Sequence, residues 1–366
     1  MALTLAELSQ SIFSSLGVSG TSNELNLSRN ENQRECLVLV DGLGKNAIDQ
    51  FGREAEFLSH MKYQTTLTAT FPSTTATSLT SLGTGLAPGQ HGMVGYTMRV
   101  PHSGTPERIL NALKWDERVD PLIWQPNPTL FEQAEKSGIK VSHIAGKRYA
   151  DSGFTRAALR GATYRGANSG EEIAREAAIA LRDPGSFAYV YVNDVDEASH
   201  SQGFGSAKFS DALNRVNDLV LKLINALPKG TRIWVTSDHG MINRGDYVVA
   251  GKENKLLDDV ELLAGEPRVR YLYLRDENLE AVRVRWQELL GEKVTVLSRE
   301  EAIRSALFGP SVSTKFQERI GDLVVIAQAD FIIVEREREA QQLAMVGHHG
   351  GVTKSEVEIP LLTLTL

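Results

Sequence analysis

Short, nearly unbroken apolar runs alternate with longer stretches in which apolar positions recur at helical spacing. That alternation is the mark of strands and crossover helices in a mostly parallel sheet. Four runs stand out: CLVLV at 36–40, VSHIAG at 141–146, FAYVYV at 187–192 and RIWVTS at 232–237. Runs that are apolar at nearly every position suit strands covered on both faces. Helices are expected over Glu171 to Leu181 and Ala207 to Leu227. In the second, Leu213, Val216, Leu219, Val220, Leu223 and Ile224 form one stripe, which reads as core packing against the sheet. The opening MALTLAELSQSIFSSLG carries Glu7 early and lacks both a basic start and a long apolar run, so it predicts a short amphipathic helix rather than a secretion signal.

From about 251 to about 334 the pattern changes. RVRYLYL, a helix through Leu279 to Leu290, KVTVLS, a helix from Arg299 to Leu307 and then LVVIAQADFIIV predict a small βαβαββ unit inserted into the larger one. The chain returns with GHHGG and a last strand, EIPLLTLTL. The expected fold class is therefore α/β: a mostly parallel sheet sandwiched by helices, built from residues 1–250 plus 335–366, with a small inserted α+β cap domain at 251–334.

A chain of 366 residues, 42% hydrophobic and 23% charged, can build a sizeable core. No segment approaches the roughly 20 apolar residues of a membrane span, so no membrane partner is expected. The net charge of -7 comes from 46 acidic against 39 basic residues, and no basic run would track a phosphate backbone, which argues against a stable nucleic-acid partner. The lone Cys36 lies inside the first apolar run. It can form no internal disulfide and reads as a small buried hydrophobe, and a cytoplasmic location is expected.

In an open parallel sheet the site lies beyond the carboxyl ends of the strands, and three of the predicted strands end in carboxylates. The first runs into Asp41, the third into NDVDEASH with Asp196 and His200, and the fourth into Asp238 and His239; GHHGG adds His348 and His349. Each Asp taken alone is as readily a helix cap or a turn former. Together they offer oxygen and imidazole donors of the kind zinc and its neighbours accept, without cysteine. His60, His102 and His143 have no such neighbours and read as structural or solvated. A second feature is the hydroxyl-rich ATFPSTTATSLTSLGTG, which can open a helix and present a hydroxyl where free amides favour phosphate. Alternatively Ser73 or Thr74 simply caps that helix and the other hydroxyls face solvent. Walker, dinucleotide-fold and nucleophile-elbow motifs are absent.

These residues resemble the alkaline phosphatase superfamily, in its type I phosphodiesterase and nucleotide pyrophosphatase branch. Asp41 after the first strand, a hydroxyl nine positions before the Thr of a Thr-Gly pair, DxxxH at Asp196 and His200, the Asp238-His239 pair and GxHG ending at Gly350 stand in family order. Counting back nine from Thr84 gives Thr75 as the nucleophile, in place of Thr70. The resemblance implies that Asp41, Thr75, Asp238 and His239 hold one Zn2+ and Asp196, His200 and His349 the other, with His348 the rival for the last position. Family diesterases carry an Asn about twenty-one residues after the nucleophile. Here that position is Tyr96, either a phosphoryl oxygen contact or an aromatic packed beneath the loop.

The implied activity is hydrolysis of a small-molecule phosphate ester or nucleotide through a phosphothreonine. Two zinc ions, or other divalent transition metals, would clamp the attacking and leaving oxygens. A phosphomonoesterase or phosphonate hydrolase on the same metals is the alternative, and a catalytically silent metal-binding homologue a weaker one. Arg148, Arg156, Arg160 and Arg165 bear on that choice, because a doubly charged monoester calls for a cation at the site.

Overall fold

The computed structural model describes residues 3–105, 107–275, 278–336 and 338–366. Seven strands form the main sheet: β1 (Arg34–Val40), β2 (Lys62–Thr68), β3 (Lys140–Ala145), β4 (Thr163–Gly166), β5 (Ser186–Val192), β6 (Thr231–Thr236) and β7 (Glu358–Thr365). Their order across the sheet is β2-β7-β6-β1-β5-β3-β4. β6, β1, β5, β3 and β4 run parallel, whereas β7 is antiparallel to both β2 and β6.

Successive side chains of a strand point to opposite faces, and here each set enters its own core. Leu37 and Leu39 join one cluster, with Phe187, Tyr189 and Trp234; Cys36, Val38 and Val40 join the other, with Ala188, Val190 and Val235. Helices α1 (Leu5–Ser15) and α2 (Thr75–Thr84) cover the first face. Helices α3 (Gly170–Ala180), α4 (Asp194–Gln202) and α5 (Ala207–Ala226) cover the second. The α5 stripe buries Leu213, Val216, Leu219, Val220 and Leu223, with Ile224 half-buried. Each fully buried side chain of this kind contributes about 1.5–3 kcal/mol. The amphipathic reading of the amino terminus also holds: Leu5, Leu8, Ile12 and Phe13 of α1 are buried, and a capping box between Thr4 and Glu7 starts the helix.

Residues 260–327 form a separate four-stranded sheet in the order Val260–Glu266, Val269–Leu274, Leu323–Ala327, Val294–Ser298, antiparallel throughout. Its first strand was not expected from the sequence. LVVIAQADFIIV makes two strands in different sheets, since Ile332–Glu335 pairs with Tyr247–Ala250. One face of the small sheet, with Ala264, Tyr271 and Val324, packs into the first core of the main sheet. The other face, with Leu263, Leu272 and Val325, holds Val282 and Trp286 of the helix Leu279–Leu290.

Candidate active site

The strand order assembles the site. β1 lies between β6 and β5, and neighbouring strands are about 4.8 Å apart, so residues just past their carboxyl ends become neighbours. Asp41 follows β1, Asp196 lies in the first turn of α4 after β5, and Asp238 follows β6. Gly42 makes the approach possible. It holds a positive φ of 77°, a Cβ there would stand 3.0 Å from the Asp196 Cα, and its amide donates to Asp238 Oδ1 at 3.2 Å.

Helix α2 brings the hydroxyl. Thr74 sits at its cap position without making a side-chain cap bond, and every residue from Thr75 to Thr84 is buried, so the solvent-facing alternative for these hydroxyls does not hold. Thr75 opens the helix with its Oγ1 3.4 Å from Asp41 Oδ2 and 3.2 Å from His239 Nε2. Thr70 bonds to Ser78 instead. Ser73 is a staple: its hydroxyl donates to the Gly351 carbonyl and accepts from the Gly350 amide, and its own carbonyl takes the His349 Nδ1 proton. The loop carrying His349 is thereby fastened to the start of α2.

The other predicted donors converge on the same place. His239 Nε2 lies 3.3 Å from Asp41 Oδ1 and 3.4 Å from Asp238 Oδ2. Asp196 Oδ1 lies 3.3 Å from His200 Nε2 and 3.8 Å from His349 Nε2. The rings of His239 and His349 stack with centroids 3.6 Å apart. Two groups have spacings that suit a metal ion, Asp41 with Asp238 and His239, and Asp196 with His239 and His349. His239 belongs to both, and His200 reaches the second through Asp196. His348 lies in the short strand Gly347–His348 and in neither group.

The chemistry of these donors fits divalent cations. His239, His200 and His349 each direct Nδ1 at a backbone carbonyl, of Gly240, Gly347 and Ser73, which leaves the Nε2 lone pair facing the carboxylates. Asp41 Oδ1, Asp196 Oδ1 and Asp238 Oδ2 are buried without a hydrogen-bond partner among the described residues. Burial first, and then the negative charges of Asp238 and Asp196, push the Asp41 carboxyl well above its ordinary value. Burial likewise raises Asp196. Burial, with His239 beside it, holds His349 well below its ordinary value and so neutral. Three carboxylates crowded out of water are costly unless cations join them.

The cluster opens into a cavity of about 280 Å³ whose other walls include Leu79, Leu113, Tyr149, Phe154 and Leu159. Tyr96 lines it half-buried. No arginine or lysine does, among the described residues. Arg148 pairs with Glu197, Arg160 with Glu132 and Arg165 with Glu176, while Arg156 is exposed. Three cavity residues escaped the sequence reading. Tyr191 donates to Asp41 Oδ2 at 2.5 Å, buried Glu266 forms part of the wall, and His143, read from the sequence as structural or solvated, lines the cavity beside Tyr164 and Tyr189. No local signal marks these roles; Tyr191 stands near the end of an apolar strand, two residues before Asn193, where a core tyrosine would stand as well.

A family model described as type I phosphodiesterase / nucleotide pyrophosphatase matches residues 36–352. The chain belongs to that family. The phosphodiesterase match spans every donor from Asp41 to His349. Solved structures share the fold. An inactive threonine-to-alanine variant of murine ectonucleotide pyrophosphatase / phosphodiesterase 5 in complex with AMP is 18% identical with a TM-score of 0.68, covering 90% of this chain and 87% of that one. The human protein of the same name gives 17% and 0.70 over 90% and 87%. Phosphonoacetate hydrolase from Sinorhizobium meliloti 1021, in complex with phosphonoacetate, gives 18% and 0.65 over 91% and 90%. No curated protein matches the chain by sequence. Among the described residues no helix is long and apolar enough to cross a membrane.

Proposed function

We propose that this phosphodiesterase-family chain hydrolyses a small phosphodiester or nucleotide pyrophosphate linkage with Thr75 as nucleophile and two divalent metal ions, zinc by choice of donors, as cofactors. The observation that carries the proposal is the Thr75 hydroxyl, buried at the amino end of α2, within 3.4 Å of both Asp41 and His239, on a residue that lines the cavity. Asp41, Thr75, Asp238 and His239 would hold one ion and Asp196, His200 and His349 the other. Ions bound there supply Lewis-acid stabilisation of the attacking and departing oxygens.

Thr75 Oγ attacks phosphorus, one ester oxygen departs opposite to it, and the resulting threonine-linked phosphate, which still carries the other ester group, is then opened by water to release a phosphate monoester. The hydroxyl loses its proton on attack and the departing oxygen gains one. The first turn of α2 offers free backbone amides to the phosphoryl oxygens, and Tyr96, uncharged at neutral pH like any tyrosine and more firmly so because burial raises its hydroxyl, would contribute a further donor. A cavity wall without arginine or lysine favours the singly charged diester over a dianionic monoester. The inactive threonine variant of the murine neighbour and its bound AMP agree with a threonine nucleophile and a nucleotide-sized substrate. The antiparallel sheet of the 251–334 insertion contributes Glu266, and the turn after it Pro267, to the wall, in keeping with a cap that selects the ester group. The single buried Cys36 suits a cytoplasmic setting.

Acid-quenched, zinc-loaded enzyme turning over a bis-nitrophenyl diester should carry a nitrophenyl phosphate adduct on Thr75 by mass spectrometry. Thr75→Ala should still bind metal and lose hydrolysis by on the order of 10³-fold or more. The same adduct on Ser73 or Thr74, an undiminished rate in Thr75→Ala, or a clear preference for the monoester would overturn the reading.

A further inference from the structure

The cavity contains one carboxyl side chain that the metal chemistry does not use. Glu266 ends the strand Val260–Glu266 and is only 4% exposed. It lines the cavity together with Thr74, Thr75, Tyr96 and His349. Its Oε1 has no hydrogen-bond partner among the described residues. The arginines that follow it in the chain are engaged elsewhere, Arg268 with Glu356 and Arg270 with Glu339. Gly350 makes room for it: a Cβ there would lie 2.7 Å from the Glu266 carboxyl carbon.

A buried acceptor with no partner is uncommon in a folded protein. At a reaction site it has a ready explanation, a donor that arrives with the substrate. A site built to hydrogen-bond a substrate group also rejects analogues that lack it, because its own polar group is then left unpaired. We propose that Glu266 is a specificity-determining residue whose free carboxyl oxygen accepts a hydrogen bond from a donor, hydroxyl or ammonium, carried on the ester group of the phosphodiester. This rests on the diesterase reading of the same site and adds the class of ester to it. Burial pushes the Glu266 carboxyl up to about 8. A neutral carboxyl still offers its carbonyl oxygen to a hydroxyl, whereas an ammonium group would draw the ionised form.

The test uses three p-nitrophenyl phosphodiesters whose second ester is n-butyl, 3-hydroxypropyl or 3-aminopropyl, with the zinc-loaded enzyme. The wild type should favour at least one donor-bearing ester over butyl by about tenfold or more in kcat/KM, and the better of the two identifies hydroxyl or ammonium. Glu266→Gln keeps an acceptor oxygen without the charge, so it should retain a hydroxyl preference and lose an ammonium preference. Glu266→Met should lose either one, with Glu266→Ala in its place if the methionine variant does not fold. Equal kcat/KM for the three esters in the wild type, or a preference that survives Glu266→Met or Glu266→Ala, would overturn the proposal while leaving the diesterase reading standing. Failure to turn over any of the three would overturn both.

Discussion

Two clusters of ionisable groups are equally deep in this molecule and are satisfied in opposite ways. Arg268 and Glu356 are both fully buried. The guanidinium meets the carboxylate with two hydrogen bonds and also donates to the carbonyls of Ala329 and Phe331, while the carboxylate accepts from the Gly351 amide and the Thr353 hydroxyl. At the other cluster Asp41, Asp196 and Asp238 each keep an oxygen without a partner. A network closed on itself fixes geometry, here by tying the turn between the first two strands of the small sheet to the loop that carries His349. A network left open at several buried oxygens is shaped for something that comes from outside. Burial alone does not separate the two cases; the account of hydrogen bonds does.

The contrast is sharpest when one member of each cluster is removed. Asp238→Ala should lower kcat/KM by on the order of 10³-fold or more and abolish binding of one metal ion. Yet the metal-free Asp238→Asn variant, which removes the charge and keeps an acceptor for the Gly42 and His239 amides, should melt no lower than metal-free wild type, because one of three mutually repelling carboxylates is gone. A large loss of stability in that variant would show that the open cluster is structural after all. Arg268→Met should behave in the opposite way. It leaves the Glu356 charge buried and unpaired and should cost about 3–5 kcal/mol in denaturant melts, most of it recovered in the double variant Arg268→Met/Glu356→Leu. A cost below about 1 kcal/mol would remove the distinction.

The pH dependence carries the same contrast. In chelated protein the Asp41 and Asp196 carboxyls sit above their ordinary value of 3.8, chiefly through burial. The folded state therefore holds protons there that the unfolded chain releases. The stability they contribute is fully present below the unfolded value and is lost as pH rises through the folded ones. Thermal melts taken upward from about pH 4 should show a falling Tm with chelator and a flatter profile with added zinc. A rising Tm in the chelated protein over that range would break the argument. The smallest expected effect belongs to Tyr191→Phe, which frees Asp41 Oδ2 from its hydroxyl partner and should weaken metal binding by about 10–100-fold; titration calorimetry with zinc would measure it, and unchanged affinity would make that hydrogen bond incidental.

Much of the site was legible along the chain because its donors follow strands that are easy to recognise. An apolar run ending in Asp, a DxxxH spacing on one helical turn and an adjacent Asp-His pair are local features, and local features survive in a linear reading. The same holds for α5, whose stripe records burial directly, and for Cys36. The strand Lys62–Thr68 was missed for a physical reason: it is an edge strand, half exposed and threonine-rich, without the apolar run that marks its neighbours. The strand Val260–Glu266 escaped because LLAG without β-branched residues has little strand character of its own and is held by pairing with Val269–Leu274.

What the sequence by itself determined is the periodicity of its elements, the residue types at their ends and hence the class of chemistry, because each depends on neighbours a few positions apart. The tertiary structure decided how those ends meet. It set β1 between β5 and β6 so that three carboxylates share one site, turned β7 antiparallel, and kept Arg148, Arg156, Arg160 and Arg165 off the cavity wall. It also joined Tyr191 to Asp41 across 150 positions and Ser73 to the Gly350 loop across 277. Contacts of that span leave no periodic trace, since a tyrosine that orients a ligand and a tyrosine that fills a core have the same neighbours in the chain and differ only in what the fold sets against the hydroxyl.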